Sequence, residues 1–215
     1  MIGLVTIGQS PREDILMDIG SMLRNYSYIE IGVLDSFSKD FIVRNLVPKE
    51  DGEFYVTRLR DGSEVRISKN FIDNRINQVI KSIEDTVDVV VILCTGDFNI
   101  ESSKPIIQPG KIMIKLVEAM NIQRIAIFIP SCKQRDMVLK RWEKVANVIN
   151  VFCWSPYSNS ITELEKLARE IDSVDLVVMD CIGYSLHHKE IVKKYSGKPV
   201  IIPRTLAIAI AINLL

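Results

Sequence analysis

The chain has 215 residues, 47% of them hydrophobic and 25% charged, with 27 basic side chains balanced by 27 acidic ones. That length supports one large or two small domains with a proper core, and the composition is that of an ordinary globular protein. Zero net charge without a run of Lys or Arg leaves no electrostatic footprint for nucleic acid or an anionic membrane, so neither is expected as a partner.

Residues 2–7 read as a first strand, and the start of the chain lacks the basic region and cleavage site of a signal peptide. The strand leads into Gly8-Gln9-Ser10-Pro11-Arg12. Ser10, Pro11 and Glu13 have the order of an N-cap, a first-turn proline and a capping-box acid, so a helix to about residue 24 is expected. A second strand covers 28–34.

Residues 37–68 break the strand–helix alternation. Within them 53–59 and 64–68 alternate in hydropathy on either side of Asp61-Gly62, which reads as a β-hairpin insertion. A helix over 70–85 would bury Phe71, Ile72, Ile76, Val79, Ile80 and Ile83 on one face. Further helices are expected at about 110–120, 134–145, 161–172 and 187–195, with Ser160 and Glu163 as a second capping box. Strands are expected at 124–129, 148–154 and 198–202. Residues 205–215 form a last helix with almost no polar face, too short to span a bilayer and therefore buried.

Two of the apolar runs repeat one another. Thr86-Val-Asp-Val-Val-Val-Ile-Leu-Cys94-Thr-Gly96 is echoed 87 positions later by Ser173-Val-Asp-Leu-Val-Val-Met-Asp-Cys181-Ile-Gly183, with six of eleven positions identical. Each run is short enough for a strand buried on both faces, and each ends in Cys-x-Gly. Strand–helix alternation around such runs predicts an α/β architecture of two pseudo-symmetric, parallel-sheet halves with a cleft between them. The first half would comprise 1–103 with 204–215, including the hairpin insertion at about 37–68. The second would comprise 104–203.

Ligands in open α/β sheets bind beyond the carboxyl ends of strands, which is where both cysteines fall. A pair of thiols suits inversion at a carbon: one thiolate removes a proton from one face, and the other thiol delivers one to the opposite face. An unperturbed thiol pKa near ~8.5 keeps both forms accessible. Helix N-termini after each Cys-x-Gly would help hold a thiolate and a substrate carboxylate.

Cys94 and Cys181 are therefore the candidate catalytic pair, weighed against the plain alternative of small buried hydrophobes. Arg12 is a candidate bidentate clamp for a carboxylate, against a surface arginine at a helix start. Gln9, Ser10, Thr95, Gly96 and Asp97 would line the first site, and Ser131, Gly183 and Tyr184 the second. Asp180, inside an apolar strand, is either a partnered buried charge or an orienting group for Cys181. No metal site is expected, because Cys-x-x-Cys and His-x-x-His spacings are absent and His187 and His188 diverge on a helix. All four cysteines read as thiols of a cytoplasmic protein, with Cys132 and Cys153 as packing or loop residues.

These features resemble the aspartate/glutamate/hydantoin racemase superfamily, in which two pseudo-symmetric α/β halves each supply an active-site cysteine. Within it, Gly3-Leu-Val-Thr-Ile-Gly-Gln-Ser-Pro-Arg12 and Met179-Asp-Cys-Ile-Gly183 resemble the AroM family over the whole chain. Cys94-Thr-Gly-Asp97 is also similar to the Cys-x-Gly-Asp motif of hydantoin racemases. Superfamily amino-acid racemases carry Cys-Asn-Thr and Cys-Thr-His where this chain has Cys94-Thr-Gly and Cys181-Ile-Gly. The resemblance implies a cofactor-independent racemase or epimerase of a small amino acid, hydantoin or related carboxylate, assembled as a homodimer or larger homo-oligomer. A one-cysteine isomerase or lyase is the near alternative. A small-ligand-binding or regulatory protein that kept the cleft and lost turnover is the distant one.

Overall fold

The computed structural model describes residues 1–49, 52–158 and 160–215, so Glu50 and Asp51 of the expected insertion lie outside the described residues. The chain divides into two compact units, residues 1–109 with 205–215, and residues 110–204. The division falls six residues later than expected at the first crossing and one later at the second.

The first unit holds a parallel sheet of β1 (Ile2–Thr6), β2 (Tyr28–Gly32), β5 (Val89–Leu93) and β6 (Ile106–Ile107), in the order β2-β1-β5-β6. Its helices include α1 (Glu13–Leu23) and α3 (Lys69–Lys81). Ile15, Ile19 and Leu23 of α1 and Ile72, Ile76, Val79 and Ile80 of α3 are buried at helical spacing. The hairpin is β3 (Phe54–Arg58) and β4 (Glu64–Ser68), paired antiparallel with Gly62 in the turn at φ 85°. That positive φ is the conformation only glycine adopts without cost.

The second unit repeats the plan. Its sheet is β7 (Arg124–Ile129), β8 (Asn147–Cys153), β9 (Leu176–Met179) and β10 (Val200–Ile201), in the order β10-β9-β7-β8. In each unit the order is second strand, first strand, cysteine strand, last strand. Its helices include α5 (Arg135–Trp142), α6 (Ile161–Arg169) and α7 (Leu186–Ser196). The helix after each last strand, α4 (Pro109–Ala119) or α8 (Pro203–Asn213), falls almost wholly in the other unit's residue set. In α8 Ala207, Ile208 and Ala211 are fully buried, as its apolar sequence requires.

The repeat has a structural reason at its polar end too. The backbone N–H of Asp88 donates to Met1 O, and that of Asp175 to Arg124 O, each at 2.8 Å. The Asp88 carboxylate accepts from the Met1 nitrogen, and the Asp175 carboxylate from the Arg124 backbone N–H at 2.9 Å. In both units the repeated aspartate pins the start of the cysteine strand to the start of the first strand.

Several local expectations change. A helix, α2 (Lys39–Asn45), occupies part of the segment read as hairpin insertion, capped by the Ser38 side chain accepting from the Phe41 N–H. Ser10 does not cap α1: the helix starts at Glu13, and the Ser10 hydroxyl donates to the Asp35 carboxylate at 2.6 Å. Ser160 makes no side-chain cap either. A capping box forms instead at Ser185 and His188, with Ser185 Oγ accepting from the His188 N–H and His188 Nδ1 accepting from the Ser185 N–H. Cys132 and Cys153 are not thiols but a disulfide, their Cα atoms 5.2 Å apart. Two adjacent parallel strand exits put them within bridging distance, a proximity that spacing along the chain does not reveal. Among the described residues no helix is long and apolar enough to cross a membrane.

Candidate active site

Both candidate cysteines sit at the carboxyl end of the equivalent strand of their unit, and both are buried, at 8% and 7% exposure. In each, the Cys-x-Gly turn folds back on itself. The Gly96 N–H donates to Cys94 Sγ at 3.3 Å, and the Gly183 N–H donates to Cys181 Sγ at 3.5 Å. Each sulfur thus accepts a backbone N–H from its own turn.

Each glycine is also sterically required. A Cβ on Gly96 would stand 2.7 Å from the rings of Tyr55 and Phe98, and one on Gly183 would stand 2.7 Å from Pro156 and 2.8 Å from Tyr157 Oη. The Cys-x-Gly signature is thus a tight turn packed beneath an aromatic side chain, built twice. A helix N-terminus follows only the second copy, at Ser185. The first is followed by an irregular, non-helical segment to β6.

Around Cys94 the walls come from the hairpin, which holds none of the site residues expected from sequence. Tyr55 lies over Gly96 and stacks obliquely on Phe98, their ring centroids 5.2 Å apart. Two residues on and on the same face of β3, Thr57 lies over Gly8 at the exit of β1, with Oγ1 2.5 Å from where a Cβ would be. The Thr57 hydroxyl is fully buried without a hydrogen-bond partner. Burial pushes the Tyr55 phenol above its ordinary range, and the charges of Cys94 and Asp73 add to it. Burial does the same to Tyr184, reinforced by Cys181 and Asp180. Both phenols stay protonated near neutral pH.

The other expected site residues fall at the same strand exits with different jobs. Gln9 is buried and fully engaged: its Nε2 donates to Phe37 O at 2.9 Å, and its Oε1 accepts from the Arg60 N–H at 3.1 Å. Ser10 is bound through backbone and side chain to Asp35, which also accepts from the Gly32 N–H. Arg12 is 1% exposed, and its guanidinium fork grips Asp14 through two bonds of 2.8 Å. The bidentate geometry foreseen for a substrate carboxylate is used inside the fold. Thr95 and Gly96 are buried beside Cys94, whereas Asp97 is exposed.

In the second unit Ser131 lies at the exit of β7, half-buried, before a short 3-10 turn at Cys132–Gln134. Tyr184 is completely buried, with its hydroxyl donating to Trp154 O at 2.7 Å. Asp180 is a partnered buried charge: its carboxylate accepts from Trp142 Nε1 at 2.7 Å and pairs with Arg141. Arg204, not foreseen, is buried at the start of α8 and donates through Nε and Nη2 to the carbonyl of Ile182, at 3.0 and 2.8 Å. It clamps the middle residue of the second Cys-x-Gly. One arginine opening an otherwise apolar helix was the available signal. Among the described residues no three of His, Cys, Asp and Glu gather as ligands for a metal ion.

Two α/β units of matching topology, each ending its third strand in a folded-back cysteine turn, define a fold shared with racemases and isomerases. Allantoin racemase from Klebsiella pneumoniae superposes with a TM-score of 0.65 at 15% identity, over 99% of this chain and 86% of that one. A maleate cis-trans isomerase from Nocardia farcinica, carrying a covalently bound succinylcysteine intermediate, gives 0.65 at 14% identity, over 99% and 91%. Glutamate racemase from Francisella tularensis, in complex with D-glutamate, gives 0.62 at 17% identity, over 100% and 80%. No curated protein matches the sequence. The family described as "AroM protein" matches residues 2–215, and the chain belongs to the AroM family.

Proposed function

We propose that this chain is a cofactor-independent racemase or epimerase of a small carboxylate or cyclic amide, with Cys94 and Cys181 as its acid/base pair. The observation that carries the reading is the duplicated turn: at equivalent strand ends, a glycine N–H is donated to each sulfur. One thiolate removes the proton α to a carbonyl, and the other thiol protonates the opposite face of the resulting carbanion. The roles exchange for the reverse direction. The donated N–H offsets part of the cost of holding a thiolate in a buried site. The racemases and the isomerase of the same fold support this class of chemistry. The succinylcysteine of the maleate isomerase supports a nucleophilic one-cysteine variant of it.

The test is incubation in D₂O with amino acids, hydantoins and 2-substituted dicarboxylates, following α-deuterium by NMR and configuration by chiral chromatography. Exchange with inversion that is lost in both Cys94→Ser and Cys181→Ser is the expected result. Exchange that survives one substitution assigns a one-cysteine isomerase or lyase instead. Ligand binding without exchange, unaffected by either substitution, assigns a binding protein.

A further inference from the structure

The Cys132–Cys153 disulfide belongs to neither proposed catalytic step, and its position gives it a separate use. We propose that this pair is a reversible redox site, reduced by a dithiol, whose state sets the exposure of Cys181. The consequence for Cys181 rests on the reading of that thiol given above; the redox couple itself does not.

Cys153 is the last residue of β8, level with Ile129 of β7, and Cys132 opens the short turn just beyond β7. The two strands are already joined there by the Trp154 N–H donating to Ile129 O at 2.9 Å. The disulfide adds a second tie at that point, between the end of β8 and the loop of Pro130, Ser131 and Cys132. Cys132 is exposed and Cys153 half-buried, so the bond is open to a reductant from one side.

The chain beyond Cys153 holds the Cys181 turn. Trp154 accepts the Tyr184 hydroxyl, while Pro156 and Tyr157 sit on Gly183. The order β9-β7-β8 puts the disulfide one to two strand spacings, ~5–10 Å, from the exit of β9. The segment that covers the Cys181 turn thus starts at one end of a sulfur–sulfur bond whose other end is exposed.

The step balances as thiol–disulfide exchange. A thiolate of the dithiol attacks Cys132 Sγ, the bond to Cys153 breaks, and Cys153 leaves as a thiolate that takes a proton. The second thiol of the reductant then displaces Cys132 and leaves as part of a cyclic disulfide. Two electrons and two protons pass to the protein. In the oxidised form the end of β8, where the cover of the Cys181 turn begins, is tied to the β7 loop and the turn stays closed; in the reduced form that tie is released.

The experiment uses the full chain carrying Cys94→Ser, with dithiothreitol as the dithiol. Peptide mass mapping after blocking should show Cys132 and Cys153 bridged before native-state reduction and both as thiols after it. Reoxidation should restore the bridge. Iodoacetamide should then label Cys181 roughly 5-fold faster in the reduced protein, a shift that a loosened turn produces without unfolding. Cys132→Ser, and independently Cys153→Ala, should give the reduced rate under both conditions. A pair that never bridges under mild oxidant, or a bridge that yields only in denaturant, would overturn the redox site. Equal labelling of Cys181 in the two states would overturn its coupling to that site. None of these readouts requires turnover, so failure of the deuterium experiment leaves this one interpretable.

Discussion

The hydroxyl of Tyr184 donates to the carbonyl oxygen of Trp154 at 2.7 Å, inside a region from which water is excluded. One bond joins the residue after the second Cys-x-Gly to the residue after β8, so the Cys181 turn takes its position from a strand it does not touch in the sheet order. Tyr184→Phe removes the donor and leaves a buried carbonyl short of a partner. The expected cost is about 1–2 kcal/mol of stability, read as a lower urea midpoint with an unchanged slope. Iodoacetamide labelling of Cys181 should accelerate in the same variant. A midpoint equal to that of the parent chain would show the bond to be energetically idle.

Gly96 and Gly183 lie under aromatic covers, and the two positions should answer alike. An alanine methyl at Gly96 would meet the Tyr55 and Phe98 rings, and one at Gly183 would meet Pro156 and Tyr157, all at about 2.7–2.9 Å. Overpacking of this kind costs on the order of 1–3 kcal/mol. Gly96→Ala and Gly183→Ala should each lower the melting temperature and disturb the N–H to Sγ contact of the adjacent cysteine. The control is Gly20→Ala, where nothing lies within 4 Å and α1 should gain helix propensity.

How much of this was legible in the sequence follows from what the repeat encodes. Val89–Leu93 and Leu176–Met179 had to be buried strands because nothing polar interrupts them, and the cysteines had to follow at their carboxyl ends. Parallel sheets and strand–helix order came from the same local pattern. The hairpin was legible as an element from Asp61-Gly62 but not as a wall, because Tyr55 meets Gly96 across 41 positions of sequence. Arg12 is ambiguous in the sequence for a related reason. A guanidinium near a strand end suits a substrate carboxylate and an internal one equally, and only coordinates reveal Asp14 in its fork. The Cys132–Cys153 bridge was hidden because it depends on β7 and β8 being neighbours, a fact of topology.

Thr57 carries a penalty that should be removable. Its hydroxyl is buried over Gly8 without a hydrogen-bond partner, and Val has nearly the same shape without the polar atom. Leaving such a group unpaired costs about 1 kcal/mol or more. Thr57→Val should therefore raise the denaturant midpoint, an uncommon direction for a buried substitution. A loss of stability would mean that the hydroxyl has a role the packing does not reveal.

Glu30 gives the fold a pH dependence with a definite sign. Burial raises its carboxyl pKa above the ordinary 4.5, and the bond it accepts from the Arg12 N–H, with the charge of Arg12, offsets only part of that. The native chain thus holds this proton more tightly than the unfolded one. Between the unfolded and folded pKa values the native state binds more protons, so stability falls as pH rises through that window. The contribution is fully present below about 4.5 and lost above the folded value. Gln at this position keeps an acceptor for the Arg12 N–H and cannot ionise. Melting temperature measured from pH 4 to 8 should therefore fall less steeply for Glu30→Gln, with the variant gaining on the parent toward neutrality. Parallel curves would show that the burial around Glu30 admits enough water to cancel its penalty.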